Sequence, residues 1–334
     1  MKILEVATDA PPYKGGVARL VGILSKGLQS RGHQICILTP RFRIKEFKLS
    51  NIPFYRYDCY DIIHIHGPTP FLSDMSLLLH QGGPPIVYTH HAEISWLSER
   101  LSLCYRRLHR LLAERIASTI IVHSYDYASL FKGNNVRVIR MPSPLKPPDV
   151  DPLESKPREP FTVVYVGQLR PFKGVDSLLR VAHFLTDVRF VIVGDGWLKP
   201  KLLSLADGLK NVEFLGQVSD DKLRDIYLSS HVVALPSTNT TEAWGLTLLE
   251  GALHGCLPMA SSLIGVRENI SLLGGISFTT ILEFAEKLRF LASHRREWDK
   301  MAAKSQRLAR NYASKYTPQY YIDVHEAIFK TLIP

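Results

Sequence analysis

Two carboxylates, Glu242 and Glu250, stand with seven residues between them in PSTNTTEAWGLTLLEGALHGCLP, residues 236–258. Thr240 and Thr241 precede the first acid, and Gly245 opens an apolar run. Leu246, Leu248, Leu249, Ala252 and Leu253 recur at spacings of three and four, which predicts a buried helix over 246–254. Gly255 and Pro258 then end it in the expected order. Glu242 falls in the loop before that helix, and Glu250 falls inside it. A helix start has unpaired N–H groups and a partial positive charge, which together bind phosphate. Gly245, Leu246 and Thr247 occupy that start, and glycine lets a ligand approach the backbone closely. A loop carboxylate can accept hydrogen bonds from sugar hydroxyls, and a second one in the helix can hold a diol such as ribose. The same stretch also reads as an ordinary buried helix with a capping threonine and one solvated acid.

The elements around it favour the ligand-binding reading. FTVVYVG, ending at Gly167, reads as a strand, and QLRPFKG follows before a helix over 175–186. Arg170 and Lys173 lie on that loop, where open α/β sheets bind ligands, and two fixed cations there can neutralise a diphosphate. FVIVGDG, VEFLG, HVVALP and LPMAS supply further strands with helices between them. The N-terminal half repeats the alternation. KILEVAT is a strand, 17–30 has helical spacing, and QICILTP is the next strand, so a parallel sheet is expected. Gly15-Gly16 marks the first strand-to-helix turn, but the pattern is not G-x-G-x-x-G, so a nicotinamide dinucleotide fingerprint is absent. DIIHIH at 61–66 and PIVYT at 85–89 are strands, the second followed by His90-His91. The sequence shows no third ligand beside this pair, and a metal is not expected. Residues 142–160 hold six prolines before Pro160, which predicts a stiff linker and a domain boundary.

The 236–258 stretch resembles the E-x7-E segment of retaining nucleotide-sugar glycosyltransferases, glycosyltransferase family 4 (glycosyl transferases group 1). Ala243-Trp244-Gly245 stands where that family commonly has Gly-Phe-Gly. Gly167 and Lys173-Gly174 match the family's G-R-L…K-G loop, with Gln168 in place of the arginine. VGDG at 193–196, FLG at 214–216 and LPS at 235–237 follow in the family's order. The resemblance implies a GT-B fold: two Rossmann-like, doubly wound parallel-sheet domains facing across a cleft. It divides the chain into an acceptor domain at 1–145, a linker at 146–160, a nucleotide-sugar domain at 161–316, and a helix at 317–334 crossing back. By the same resemblance, Glu242 positions the sugar hydroxyls, Glu250 the ribose, His91 touches the donor sugar, and Gly15-Gly16 closes over the diphosphate. The donor is implied to be a UDP- or GDP-linked sugar, with no separate cofactor and no metal. Alternatives left open are a sugar-nucleotide-binding partner or sensor without catalysis, and a GT-B epimerase.

Charge bears on partners. The net charge is +10, with 19 basic against 11 acidic residues in 1–150, so the first half expects an acidic partner. The helix expected at 96–116 has Leu97, Leu101, Leu108, Leu111 and Leu112 as an apolar face. Arg100, Arg106, Arg107, Arg110 and Arg115 make the other face basic, suited to solvent or to an anionic membrane surface. RFRIKEFK at 41–48 would add to that patch. Expected acceptors are glycan, lipid-linked or polyprenyl-type. Nucleic acid is not expected, because the basic face lacks interleaved aromatics. Met1 leads straight into a strand and no apolar run reaches the roughly 20 residues of a spanning helix, so a cytoplasmic, peripherally membrane-associated protein is expected. Cys36, Cys59, Cys104 and Cys256 lack metal-ligand spacing and are expected as buried thiols.

Overall fold

The structure is a computed structural model that describes residues 1–12, 15–40, 42–44, 47–49, 57–79, 82–95, 98–143, 146–157 and 159–333. The chain forms two compact units. Unit 1 comprises Met1–Pro142 with Tyr316–Pro334, and unit 2 comprises Ser143–Lys315.

In unit 1 the chain runs β1 (Lys2–Val6), α1 (Gly16–Ser30), β2 (Gln34–Leu38), β3 (Phe42–Ile44), β4 (Phe47–Leu49), β5 (Ile62–Gly67), α2 (Leu72–Leu79), β6 (Ile86–His90), α3 (Glu99–Ile116), β7 (Thr119–Val122), α4 (Tyr125–Ala128) and β8 (Val136–Val138). Six strands make a parallel sheet in the order β2-β1-β5-β6-β7-β8, while β3 and β4 pair antiparallel with each other. Every residue of β5, β6 and β7 is buried, as befits a parallel sheet covered on both faces.

Unit 2 runs β9 (Phe161–Val166), α5 (Val175–Phe184), β10 (Val188–Val193), α6 (Lys199–Leu205), β11 (Val212–Gly216), α7 (Asp220–Leu228), β12 (Val232–Leu235), α8 (Leu246–Leu253), β13 (Leu257–Ser261), α9 (Val266–Leu272), β14 (Ile276–Phe278), α10 (Ile281–Ser293) and α11 (Arg295–Lys315). Its sheet is also parallel and six-stranded, ordered β11-β10-β9-β12-β13-β14. The core beneath it joins Val163, Tyr165, Phe190, Ile192, Leu178 and Trp298. The last helix, α12 (Pro318–Leu332), belongs to unit 1 and packs on α1, where Arg31 pairs with Asp323 and Glu326. Within the proline-rich segment, Lys156 is half-buried in unit 2. Its ammonium donates to the carbonyl oxygens of Tyr227, Ser230 and His254 at 2.6, 2.6 and 2.8 Å.

In both sheets the strand order reverses once. That switch point lies between β1 and β5 in unit 1 and between β9 and β12 in unit 2. Loops leaving two such strands diverge to opposite faces and open a crevice at their carboxyl ends, where doubly wound sheets bind ligands.

Candidate functional site

In unit 2 the two loops at the switch point are 167–174, after β9, and 236–245, after β12. They are tied together. The Thr238 amide donates to the Phe172 carbonyl at 2.8 Å. Gly174 has φ 67°, and a Cβ there would meet the Pro236 carbonyl oxygen at 2.0 Å, so only glycine allows the loops to approach this closely. The junction brings Lys173 against Glu242. The ammonium lies 2.5 Å from Glu242 Oε2, which also accepts from the Ser237 hydroxyl at 3.1 Å. Glu242 is buried, and Lys173 is half-buried.

Gly245 precedes α8 with φ 73° and ψ 62°, and no side chain caps the helix start. Its N–H groups remain directed out of the first turn, the arrangement that receives anions. Asn269, buried on α9, braces this turn by donating to the carbonyl oxygens of Trp244 and Gly245 at 2.6 and 3.2 Å. Leu246 and Thr247 are half-buried in the first turn. Further along, Glu250 is buried and accepts from the Tyr227 hydroxyl at 3.1 Å. Arg170 is half-buried just before the Pro171–Lys173 turn.

In unit 1, a row of buried polar groups crosses the switch point. Glu5 Oε2 lies 2.7 Å from His66 Nε2, and His66 Nδ1 lies 2.8 Å from His91 Nε2. His91 Nδ1 lies 3.3 Å from His123 Nε2, and His123 Nδ1 donates to the Ile139 carbonyl at 2.9 Å. Burial alone would raise the Glu5 carboxyl, but the charges of His64 and His66 and the hydrogen bond from His66 hold it well below the usual carboxylate range. Burial, with charge repulsion from neighbouring histidines, lowers His66 and His123 to about 4, and lowers His91 well below the ordinary histidine value. Glu5, His64 and His66 also bring three ligand-type atoms within 4.8 Å of one another. The contacts from Glu5 Oε2 to the two rings are 2.9 and 2.7 Å. Donors around one zinc at 2.0–2.1 Å stand about 3.3 Å apart in a tetrahedron, so this spacing suits a proton better than a metal. Gly15 and Gly16 open α1, again without a side-chain cap.

Residues 160–294 match the family model described as glycosyl transferases group 1. The chain is 30% identical over 261 residues to the D-rhamnosyltransferase WbpZ of Pseudomonas aeruginosa, a match covering 72% of this chain and 66% of that one. The chain belongs to the glycosyl transferases of group 1. It is 29% identical over 303 residues to the O-antigen chain mannosyltransferase C of Escherichia coli, covering 79% of this chain and 80% of that one. Anabaena Alr3699/HepE, solved in complex with UDP-glucose, has the same fold: TM-score 0.71 at 18% identity, over 99% of this chain and 100% of that one. The protein is thus a glycosyltransferase on a GT-B fold, with two parallel six-stranded sheets.

Several placements in this transferase differ from expectation. Leu101, Leu108 and Leu111, of the expected apolar face of α3, are 58, 61 and 53% exposed, while Leu112 is half-buried and Leu97 lies outside the described residues. The inward face is polar instead. Ser102, His109 and Ala113 are buried there, His109 meets Asp74, and Arg106 and Arg110 turn inward to pair with buried Glu93. Two arginines of the expected basic face are therefore engaged internally, while Arg100, Arg107 and Arg115 are exposed beside the leucines. For the stretch 41–48, the side chains lie outside the described residues. Cys59 and Cys104 are exposed, Cys36 is half-buried, and only Cys256 is fully buried, so the expectation of four buried thiols fails. Cys59 and Cys104 sit on a turn and on the outward arc of α3, where neighbouring apolar residues do not guarantee cover. His91 has both ring nitrogens directed at other histidines.

Reading the sequence missed Glu5, His64, His66 and His123. The H-x-H of DIIHIH was a usable signal, because a strand sends residues two apart to one face. Gln168 exposes its side chain where the family arginine would stand, while its carbonyl accepts from Tyr165.

Proposed function

We propose that the chain is a retaining glycosyltransferase moving a hexose from a UDP- or GDP-linked sugar to a glycan, lipid-linked or polyprenyl-type acceptor. The observation that carries this reading is the Lys173–Glu242 pair at the unit 2 switch point, beside the uncapped start of α8. The difficult step is breaking the anomeric C–O bond to a diphosphate. Negative charge grows on the leaving group while the sugar becomes oxocarbenium-like, so fixed positive charge at the diphosphate matters more than a strong base. Lys173, Arg170 and the α8 start at Gly245, Leu246 and Thr247 supply it without a metal. An arriving diphosphate competes for the Lys173 ammonium and releases the Glu242 carboxylate to the sugar hydroxyls. Glu250, which accepts from the Tyr227 hydroxyl, is the candidate for a ribose diol. Gly15-Gly16 and His91 of unit 1 are the further candidates for diphosphate and sugar. Retention follows if the acceptor attacks from the leaving-group face and the departing phosphate takes its proton.

The bound UDP-glucose of HepE supports a nucleotide-sugar donor, and the O-antigen mannosyltransferase supports a glycan acceptor. The leucines and arginines exposed on α3 support an acceptor at an anionic membrane surface, with the protein peripheral and cytoplasmic. Among the described residues no helix is long and apolar enough to cross a membrane.

The test is a thermal-shift screen with UDP, GDP, ADP, CDP and their common sugar conjugates. A ligand that binds only the native state raises the melting temperature. One nucleotide should stabilise the protein, and its sugar conjugate should be consumed when acceptor is supplied. Stabilisation by none would sink the reading. The exposed Gln168 favours a second reading, a sugar-nucleotide sensor, which would bind the donor and never turn it over.

A further inference from the structure

The buried row in unit 1 obeys a proton count. Its four contacts run Glu5–His66, His66–His91, His91–His123 and His123–Ile139 carbonyl. Each is a hydrogen bond only if one proton lies in it, and three neutral imidazoles bring three. Both ends are fixed. The Ile139 carbonyl can only accept, so His123 carries its proton on Nδ1. Ionised Glu5 can only accept, so His66 carries its proton on Nε2. His91 then has one proton and two bare nitrogens to face, His66 Nδ1 at 2.8 Å and His123 Nε2 at 3.3 Å. The shorter contact takes the proton, and the longer one is the distance of two lone pairs held apart.

We propose that Glu5, acting through His66, fixes His91 as the Nε2–H tautomer, and that the facing lone pairs of His91 Nδ1 and His123 Nε2 take up one shared proton. Glu5 is thereby a positioning residue for His91. That His91 serves sugar transfer rests on the function proposed above, whereas the relay rests on unit 1 alone. The added proton completes the fourth hydrogen bond, and the Glu5 carboxylate, two rings away, balances its charge.

Other groups facing the row do not supply the missing proton. His64 Nδ1 is 2.9 Å from Glu5 but off the hydrogen-bonding line, and its Nε2 contacts Thr89 Oγ1 at 2.7 Å. His325 donates through Nδ1 to the Tyr321 carbonyl at 2.7 Å, which leaves its Nε2 bare. His90 and Arg140 bear on His123 by charge, and Glu5 bears on Tyr321, helping burial hold its phenol neutral. A divalent cation on Glu5, His64 and His66 would invert the row. It would take His66 Nε2, force the proton to Nδ1, and make His91 an Nδ1–H tautomer.

The test is long-range 1H–15N correlation spectroscopy of the full chain labelled at histidine, from pH 8 to 5. His91 should show protonated Nε2 and bare Nδ1, and His123 the reverse. On acidification the two bare nitrogens should shift together, with one midpoint below the usual value of about 6.5. His91 protonated on Nδ1, or separate titration of the two rings, would overturn the proposal. One equivalent of tightly held metal accompanying an Nδ1–H His91 would overturn it in favour of a metal site. Glu5→Met removes the end acceptor, and should invert His66 and His91 together. An unchanged His91 in that variant counts against Glu5. If Glu5→Met does not fold, His123→Phe should keep His91 as Nε2–H and abolish the joint transition; a surviving transition overturns the shared site. UDP affinity measured on the same samples reports separately on the proposed function, so loss of one reading is distinguishable from loss of the other.

Discussion

Glu242 and Lys173 touch each other, yet losing each should have a different effect. Glu242→Gln keeps the side-chain volume and removes the charge. If the carboxylate orients sugar hydroxyls in the transition state, kcat should fall about 10²- to 10⁴-fold, with nucleotide affinity nearly kept. Transfer at the parental rate would remove Glu242 from the chemistry. Lys173→Ala removes a charge-assisted contact to the diphosphate, worth about 1.5–3 kcal/mol. The dissociation constant for the stabilising nucleoside diphosphate, measured by calorimetry, should rise roughly 10- to 100-fold, and an unchanged value would place Lys173 outside the site. Both residues were legible as candidates, because a carboxylate before a glycine-led helix and a lysine after a strand-end glycine are local patterns. Their contact was not legible, since 69 residues separate them and only the sheet order joins β9 to β12. The histidine row was hidden for the same reason: Glu5 and His66 are 61 residues apart.

α8 and α3 show where periodicity informs and where it misleads. The spacing of Leu246, Leu248, Leu249, Ala252 and Leu253 predicted a buried helix, and α8 is buried at the last four, with Leu246 half-buried, because it packs on β12, β13 and α11. The leucines of α3 were equally regular, yet the sheet side of that helix is claimed by Glu93 and Asp74, which draw Arg106, Arg110 and His109 inward. Hydrophobic period locates an apolar stripe but does not say which stripe faces the core when buried acids need partners. The outward stripe of Leu101, Leu108 and Leu111 beside Arg100 and Arg107 is the face to test. Each arginine near an anionic surface contributes about 1 kcal/mol. Arg100→Glu with Arg107→Glu should weaken binding to phosphatidylserine vesicles by ~30-fold or more, and Leu108→Ser with Leu111→Ser should weaken it further. Sedimentation with vesicles measures both, and equal pelleting of parent and variants would retire the membrane role. Arg106 and Arg110 make poor probes, since reversing them would strand Glu93.

The whole molecule carries its pH response in buried histidines. The two parallel sheets were readable from alternating strands and helices, but this response was not, because it depends on tertiary burial. His66 and His123 are lowered to about 4, and His231 to about 3, in each case first by burial. In the unfolded chain each would titrate near 6.5. The sign follows from proton numbers. Between the unfolded and folded values the unfolded state binds more protons, so acid favours unfolding. Their contribution is complete above pH 6.5 and is lost as pH falls through about 4. Each such group costs on the order of 1 kcal/mol per pH unit in that window. Glu5, depressed rather than raised, adds its own loss only below the ordinary carboxylate range. Urea midpoints should therefore stay level from pH 8 to 7 and fall steeply from pH 6 to 4.5. His231 offers an independent check, since its ring stacks on Phe161 with centroids 4.7 Å apart and meets Arg295 rather than the unit 1 row. Replacing it with phenylalanine keeps that stacking, removes one of the seven histidines lowered by burial among the described residues, and should flatten the histidine part of the acid slope by about a seventh. An unchanged slope would mean that His231 is already protonated in the fold, or that other groups dominate the acid response.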